Sequence, residues 1–256
     1  MRIASWNVNS IRARLPRVVE WLSVWEPDIL CVQETKVVDD DFPREPFEEM
    51  GYHLEVMGQK TYNGVALISR EKPTSLLRGL PTDPPEADKR VIGGRIGELN
   101  RINVYAPNGT ELGSERFSYK LEWYRRLRRY LTEAHQPTDR LIITGDFNVA
   151  QDDRDLYDPD NWRGKLLYHP DELEVFGELM EWGFVDAFRE LHSESGIYSW
   201  WDYRAGMFHK GMGLRIDFAL ITDPLRDQLK EVMIDRNARK GPKPSDHAPV
   251  IVDLDL

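Results

Sequence analysis

Cysteine is nearly absent: Cys31 is the only one in 256 residues, so no intrachain disulfide can form. That usage fits a reduced, intracellular setting better than a secreted one. Cys31 lies in the apolar run Asp28-Ile29-Leu30-Cys31-Val32, where a thiol serves as a small buried hydrophobe. Long hydrophobic runs are missing too, none approaching the ~20 residues of a membrane span. The start, Met1-Arg2-Ile3-Ala4-Ser5-Trp6, has neither the apolar core nor the cleavage site of a signal peptide. A soluble, cytoplasmic protein is expected. The chain also lacks a Gly-x-Ser-x-Gly elbow and a Gly-x-x-x-x-Gly-Lys-Ser/Thr loop, which argues against a serine hydrolase and an ATP-driven motor. No Pro/Gly/Ser-rich linker divides it, so one domain over residues 1–256 is expected.

Positive charge is in deficit, with 34 Lys and Arg against 44 Asp and Glu and a net charge of −10. A nucleic-acid binder usually presents a basic surface. Distribution matters more than the sum. Basic residues gather at Arg12, Arg14 and Arg17, at Arg125, Arg126, Arg128 and Arg129, and at Arg236, Arg239, Lys240 and Lys243. Acidic ones gather at Asp39-Asp40-Asp41 and between Asp152 and Asp160. An acidic protein that holds metal cations can still bind DNA, because the bound ions invert the local field.

The apolar content, 41%, is ample for a buried core. Short β-branched runs alternate with amphipathic stretches, the pattern of an α/β protein. Strands are expected at Arg2 to Asn7, Ile29 to Gln33, Gly64 to Ser69, Arg101 to Tyr105, Leu141 to Gly145, Ile216 to Ile221 and Val250 to Leu254. Helices are expected at Leu15 to Trp25, Ser114 to Ala134 and Pro170 to Trp182, the last stopped by Gly183. Polar stretches at 152–167 and 203–213 read as functional loops.

Ligands in α/β proteins gather at strand ends, and polar residues follow the apolar runs at six places: Trp6-Asn7-Val8-Asn9, Gln33-Glu34-Thr35-Lys36, Tyr105-Ala106-Pro107-Asn108, Gly145-Asp146-Phe147-Asn148, Arg215-Ile216-Asp217 and Ser245-Asp246-His247. Taken singly, each has a structural explanation: an asparagine capping a turn, Glu34 pairing with Lys36, Asp217 in a salt bridge. As a set they offer carboxylates at Glu34, Asp146, Asp217 and Asp246, amides at Asn7 and Asn148, and an imidazole at His247, with no thiolate. Such oxygen-rich donors suit Mg²⁺ or Mn²⁺ better than zinc, and so phosphate chemistry. Were Asp217 to approach His247, it would favour an imidazolium able to bind a phosphate oxygen that gains charge.

These motifs, with Tyr62-Asn63-Gly64-Val65-Ala66 and Trp200-Trp201-Asp202-Tyr203-Arg204, resemble in order those of the exonuclease III and abasic-site endonuclease family, bacterial type, from residue 3 to residue 252. The resemblance implies a four-layered α/β sandwich of the deoxyribonuclease I-like kind, two mixed sheets face to face and flanked by helices. It implies a DNA repair enzyme that cuts the phosphodiester 5′ to an abasic site, with 3′→5′ exonuclease and 3′-phosphatase activity. Its cofactor would be Mg²⁺, with Mn²⁺ as substitute. Its substrate would be double-stranded DNA with abasic sites or blocked 3′ ends, acted on by a monomer.

Carried over by position, Glu34 is the principal metal ligand with Asn7 beside it, and Asp246 stands near a second metal position; Asp146, Asn148 and His247 complete that set. Asp146 would activate water, Asn148 would hold it, His247 oriented by Asp217 would bind the scissile phosphate, and Tyr105 would contact the phosphate or leaving oxygen. DNA contacts are expected from Arg12, Lys36, Tyr62, Arg90 and Asn108, and from Trp200 and Leu214 as walls of a pocket for the extruded sugar. Trp201 is divided between that use and the core. Leu214 stands where the human-type branch has tryptophan, and Asn9 where it has aspartate. The alternatives are another phosphoesterase of this fold, such as a non-specific nuclease or inositol-phosphate phosphatase, and a non-catalytic DNA-binding module.

Overall fold

The structure is a computed structural model describing residues 1–256. The first sheet is built from β1 (Arg2–Asn7), β2 (Ile29–Gln33), β3 (His53–Met57), β4 (Val65–Ser69), β11 (Leu229–Ile234) and β12 (Val250–Leu254), in the order β11-β12-β1-β2-β4-β3. The second holds β5 (Thr74–Arg78), β6 (Val91–Ile96), β7 (Leu99–Tyr105), β8 (Leu141–Asp146), β9 (Phe184–Asp186) and β10 (Asp217–Thr222), in the order β5-β6-β7-β8-β10-β9. In each sheet one pair is parallel, β1 with β2 and β7 with β8, and the other neighbours are antiparallel.

Three apolar layers hold the sheets and helices together. Ile3, Ile29, Cys31, Leu67, Ile142, Ala219 and Val252 pack between the sheets. On the outer face of the first sheet, Trp6, Ile68 and Ile251 meet Val18, Trp21 and Leu22 of α1 (Ile11–Trp25) and Phe47 of α2 (Glu45–Glu49). On the outer face of the second, Ile102, Ile143 and Phe218 meet Trp123, Leu127 and Leu131 of α3 (Glu115–Ala134) and Val175 and Phe176 of α5 (Pro170–Glu181). The result is the expected four-layered sandwich. Three one-turn helices, α4 (Pro159–Trp162), α6 (Ala187–Leu191) and α7 (Met207–Lys210), punctuate the connections, and two of them lie inside the stretches expected as loops.

Helix α1 begins at Ile11, four residues before the expected start, because the Ser10 side chain caps Ala13 N; Pro16 lies inside the helix, where it has no N–H to donate to Arg12 O. Helix α3 starts as expected, with Ser114 accepting from Phe117 N. Side chains alternate across a strand with period two. Because Ile3, Cys31, Ile142 and Ala219 face the gap between the sheets, the same parity turns Asn7, Gln33, Asp146 and Asp217 into that gap at one shared end.

Candidate active site at the open end of the sandwich

Parallel pairing brings the ends of β1 and β2 together, with Asn7 opposite Gln33. Antiparallel pairing sets Asp217, at the start of β10, directly across from Asp146, at the end of β8. The amide of Asn7 bridges the two sheets at this end: Asn7 Nδ2 donates to Glu34 Oε1 at 2.8 Å and to Asp146 Oδ2 at 2.9 Å. Between the two aspartates lies His247, whose Nδ1 meets Asp217 Oδ2 at 2.8 Å and whose Nε2 faces Asp146 Oδ2 at 3.5 Å. Its segment is tied to the first sheet by Trp6 Nε1 donating to His247 O and by Ser245 Oγ donating to Asn7 O.

Backbone strain supports this arrangement. Asn148 and Glu34 adopt left-handed φ values of 50° and 53°, a conformation that non-glycine residues hold only where the surroundings enforce it. At Asn148 the turn lets the backbone N donate to Asp146 Oδ1 at 2.9 Å, and the side chain donate to Ala106 O and accept from Asn108 Nδ2 at 3.0 Å. Gly145, with φ 151°, cannot be replaced: a Cβ there would stand 1.9 Å from Val104 O.

Burial and charge set the protonation states. Burial raises Asp146, to about 7; Asp217 and Glu34 add to the rise, while His247 and the amide of Asn7 oppose it. Burial alone would lower His247, but Asp217 and Asp146 outweigh it and hold the ring at about 10, so it is an imidazolium at neutral pH. Burial, with Glu34 and Asp146 nearby, pushes the Tyr105 hydroxyl well above its ordinary range. Asp246 would be raised by burial, yet His247, Trp200 and Asn9 bring it below the usual carboxylate value.

Glu34, Asp146 and His247 present ligand atoms within 4.8 Å of one another. Two carboxylates joined by a neutral amide, with Asp217 behind them, make a hard, electron-rich oxygen set that fits a divalent cation. Asp246 lies outside this group, its oxygens accepting from Asn9 Nδ2 and Trp200 Nε1, each at 3.0 Å. Asn7 turns its N–H toward the carboxylates while its Oδ1 accepts from Asn9 N. With both ring nitrogens facing carboxylates, His247 is arranged as a donor.

The expected DNA contacts are more dispersed. Lys36 lies at the site, bonded to Glu34 Oε2 at 2.8 Å and Asn9 Oδ1 at 2.6 Å. Asn108 and Tyr62 are exposed, and Arg12 is exposed and paired with Asp41. Arg90 is only 7% exposed, bound to Asp88 and stacked over Tyr105. Leu214 has no exposed surface; it pairs with Trp200 and packs among Leu156, Tyr168 and Ile216. As it stands the chain thus offers half-buried Trp200, not Leu214, as a pocket wall. Trp201 is 1% exposed and belongs to the core. Sequence reasoning missed Ser199, whose Oγ donates to Asp217 Oδ2 at 2.6 Å and accepts from Asp217 N; a lone serine before two tryptophans gives no signal of that role.

Residues 4–247 match the endonuclease/exonuclease/phosphatase family. The chain is 36% identical to an exodeoxyribonuclease III of Haemophilus influenzae, with 98% of each chain covered. Among solved structures it resembles an AP endonuclease from Archaeoglobus fulgidus, with TM-score 0.96, 38% identity and both chains fully covered. A 3′ phosphatase from Neisseria bound to a product DNA hairpin gives TM-score 0.96 and 40% identity, again over both whole chains.

Proposed function

Because the chain belongs to the endonuclease/exonuclease/phosphatase family, we propose that it is a DNA repair nuclease, hydrolysing the phosphodiester 5′ to an abasic site and clearing blocked 3′ ends. The observation that carries this reading is the linkage Glu34–Asn7–Asp146–His247–Asp217, which joins both sheets at one open end. A general base, an anion-binding imidazolium and an oxygen-rich cation site are what in-line attack on a phosphodiester requires. Glu34 and Asp146 would hold Mg²⁺, replaceable by Mn²⁺, and the bound ion would neutralise charge on the phosphate and the departing oxygen.

This chain's own groups supply the rest. Once ionised, Asp146 accepts the proton of the attacking water, whose oxygen is steered by Asn148. The His247 imidazolium, fixed by Asp217 and Ser199, donates to the non-bridging phosphate oxygen on which charge accumulates. Tyr105, kept protonated by burial, is an O–H donor toward the phosphate or leaving oxygen. Duplex DNA is the substrate, a monomer the working form and the cytoplasm the setting. A second reading, in which 3′-end trimming outweighs abasic incision, is favoured by the complete burial of Leu214.

A gel assay separates these readings, using one duplex with an abasic-site analogue and one undamaged duplex with a recessed 3′ end, each with magnesium and with chelator. Magnesium-dependent incision 5′ of the lesion supports the first reading, and digestion from the 3′ end alone supports the second. Failure to cut either would refute both.

A further inference from the structure

The strained turn after Asp146 is held from behind by one helix face. Tyr124 and Lys120 are four residues apart on α3, hence on the same side of it. They donate to consecutive carbonyls: Tyr124 Oη to Phe147 O, and Lys120 Nζ to Asn148 O at 2.6 Å. The same ammonium donates to Asn108 O at 3.2 Å and to Glu172 Oε1, using all three of its protons. Glu172 Oε2 accepts from His169 N at the start of α5. Lys120 and Glu172 are both fully buried.

We infer that Lys120, held through its buried pair with Glu172, is a positioning residue that, with Tyr124, fixes the Phe147–Asn148 backbone and so the reacting geometry of Asp146 and Asn148. This rests on the nuclease reading. A buried ion pair is seldom needed for stability, since well-packed apolar side chains of similar volume are often as stable or more so. What apolar side chains cannot do is donate to the carbonyls of Asn108 and Asn148. Those two asparagines are also bonded to each other through Asn108 Nδ2 and Asn148 Oδ1, so one ammonium restrains both backbones. Loss of that restraint frees Asn148 to leave its left-handed conformation, φ 50°, and moves its amide away from Asp146 Oδ1. A displacement of about 1 Å at a reacting group can cost about 10²-fold in rate.

The test compares Lys120→Met with Lys120→Met/Glu172→Leu by thermal unfolding, single-turnover cleavage of the abasic-analogue duplex per folded molecule, DNA affinity, and amide hydrogen exchange at 147–150. The single variant strands a buried carboxylate and should lose both stability and rate. The double variant should be clearly more stable than the single one, short of wild type by the lost bonds to Asn108 O, Asn148 O and His169 N, and bind DNA normally. Its cleavage should stay down by about 10–100-fold, and the amides of Phe147, Asn148 and Ala150, bonded in the wild type to Ile216 O, Asp146 Oδ1 and Leu167 O, should exchange at least about tenfold faster while the middle of β8 stays protected. Recovery of cleavage together with stability, or unchanged exchange at 147–150, would overturn the inference. Should the wild type itself leave the duplex intact, the nuclease reading falls and the exchange measurement alone decides whether Lys120 positions this turn.

Discussion

Asp217→Asn is the most informative single change, because it alters one charge and almost no volume. In the folded chain His247 rises from an ordinary 6.5 to about 10, a difference worth about 5 kcal/mol in favour of the charged ring at about 1.4 kcal/mol per pH unit. Burial opposes that charge, and Asp217 is the largest contributor among the three carboxylates, Asp217, Asp146 and Asp246, that sustain it. Without Asp217, burial is opposed only by Asp146 and, more weakly, Asp246, and the ring should lose its proton near or below neutrality. Wild-type cleavage should therefore hold to about pH 9 before falling, whereas the variant's alkaline limb should begin in the neutral range. At pH 8 the variant should be slower by about 10²–10³, the usual scale for loss of one electrostatic donor to a transition state.

Stability should follow the same charge. A raised histidine pKa contributes stability that is complete below 6.5 and is lost as pH rises through about 10. In chelator, the destabilisation caused by Asp217→Asn should thus be largest near pH 6 and shrink toward pH 10. Initial-rate profiles, urea unfolding at each pH and an NMR titration of the His247 ring without metal give three independent readings. A variant with a wild-type alkaline limb and a rate within about threefold of wild type would refute the assignment of His247 as a charged phosphate-binding group.

Asp146→Asn, which keeps the side-chain volume but can accept from only one of Asn7 Nδ2 and Asn148 N and removes the base, should lower cleavage by about 10²–10³ with DNA affinity in chelator unchanged or improved, as read by fluorescence anisotropy. Loss of even a supporting partner typically costs a metal site about 10–100-fold in affinity, so Glu34→Gln should weaken Mn²⁺ binding at least that much in a paramagnetic titration; unchanged binding would move the cation elsewhere. Trp201→Ala should cost about 3–5 kcal/mol in urea unfolding, because its ring is buried against Phe208 and the guanidinium of Arg236. Trp200→Ala, at a half-buried position, should cost far less stability and weaken binding to abasic duplex.

The strands read from sequence were those buried on both faces. β1, β2, β4, β7, β8, β10 and β12 are central or next to central, and their continuous β-branched runs announce them. Those missed were β3, β5, β9 and β11 at the four sheet edges and β6, whose Gly93-Gly94-Arg95 breaks the apolar run. An edge strand with one wet face, such as Leu229–Ile234 with Lys230 and Glu231, reads as a polar segment. Polar residues directly after apolar runs were legible because the fold places strand ends together, which is why Asn7, Glu34, Asp146 and Asp217 stood out. Lys120, Glu172 and Ser199 were not legible. On an amphipathic helix a lysine and a glutamate resemble solvated surface, and only the packing of α3 on α5, far apart in the chain, reveals that both are buried.

The pairing of β1 with β12 has a consequence for how the enzyme comes into being. Trp6 and His247, 241 residues apart, are bonded to each other, and the Met1 amine donates to Leu254 O. The centre therefore cannot assemble from residues 1–246 alone, because its imidazolium belongs to His247. A chain cut short before residue 247 would lack both that imidazolium and β12, the strand that pairs with β1 and closes the first sheet around the site.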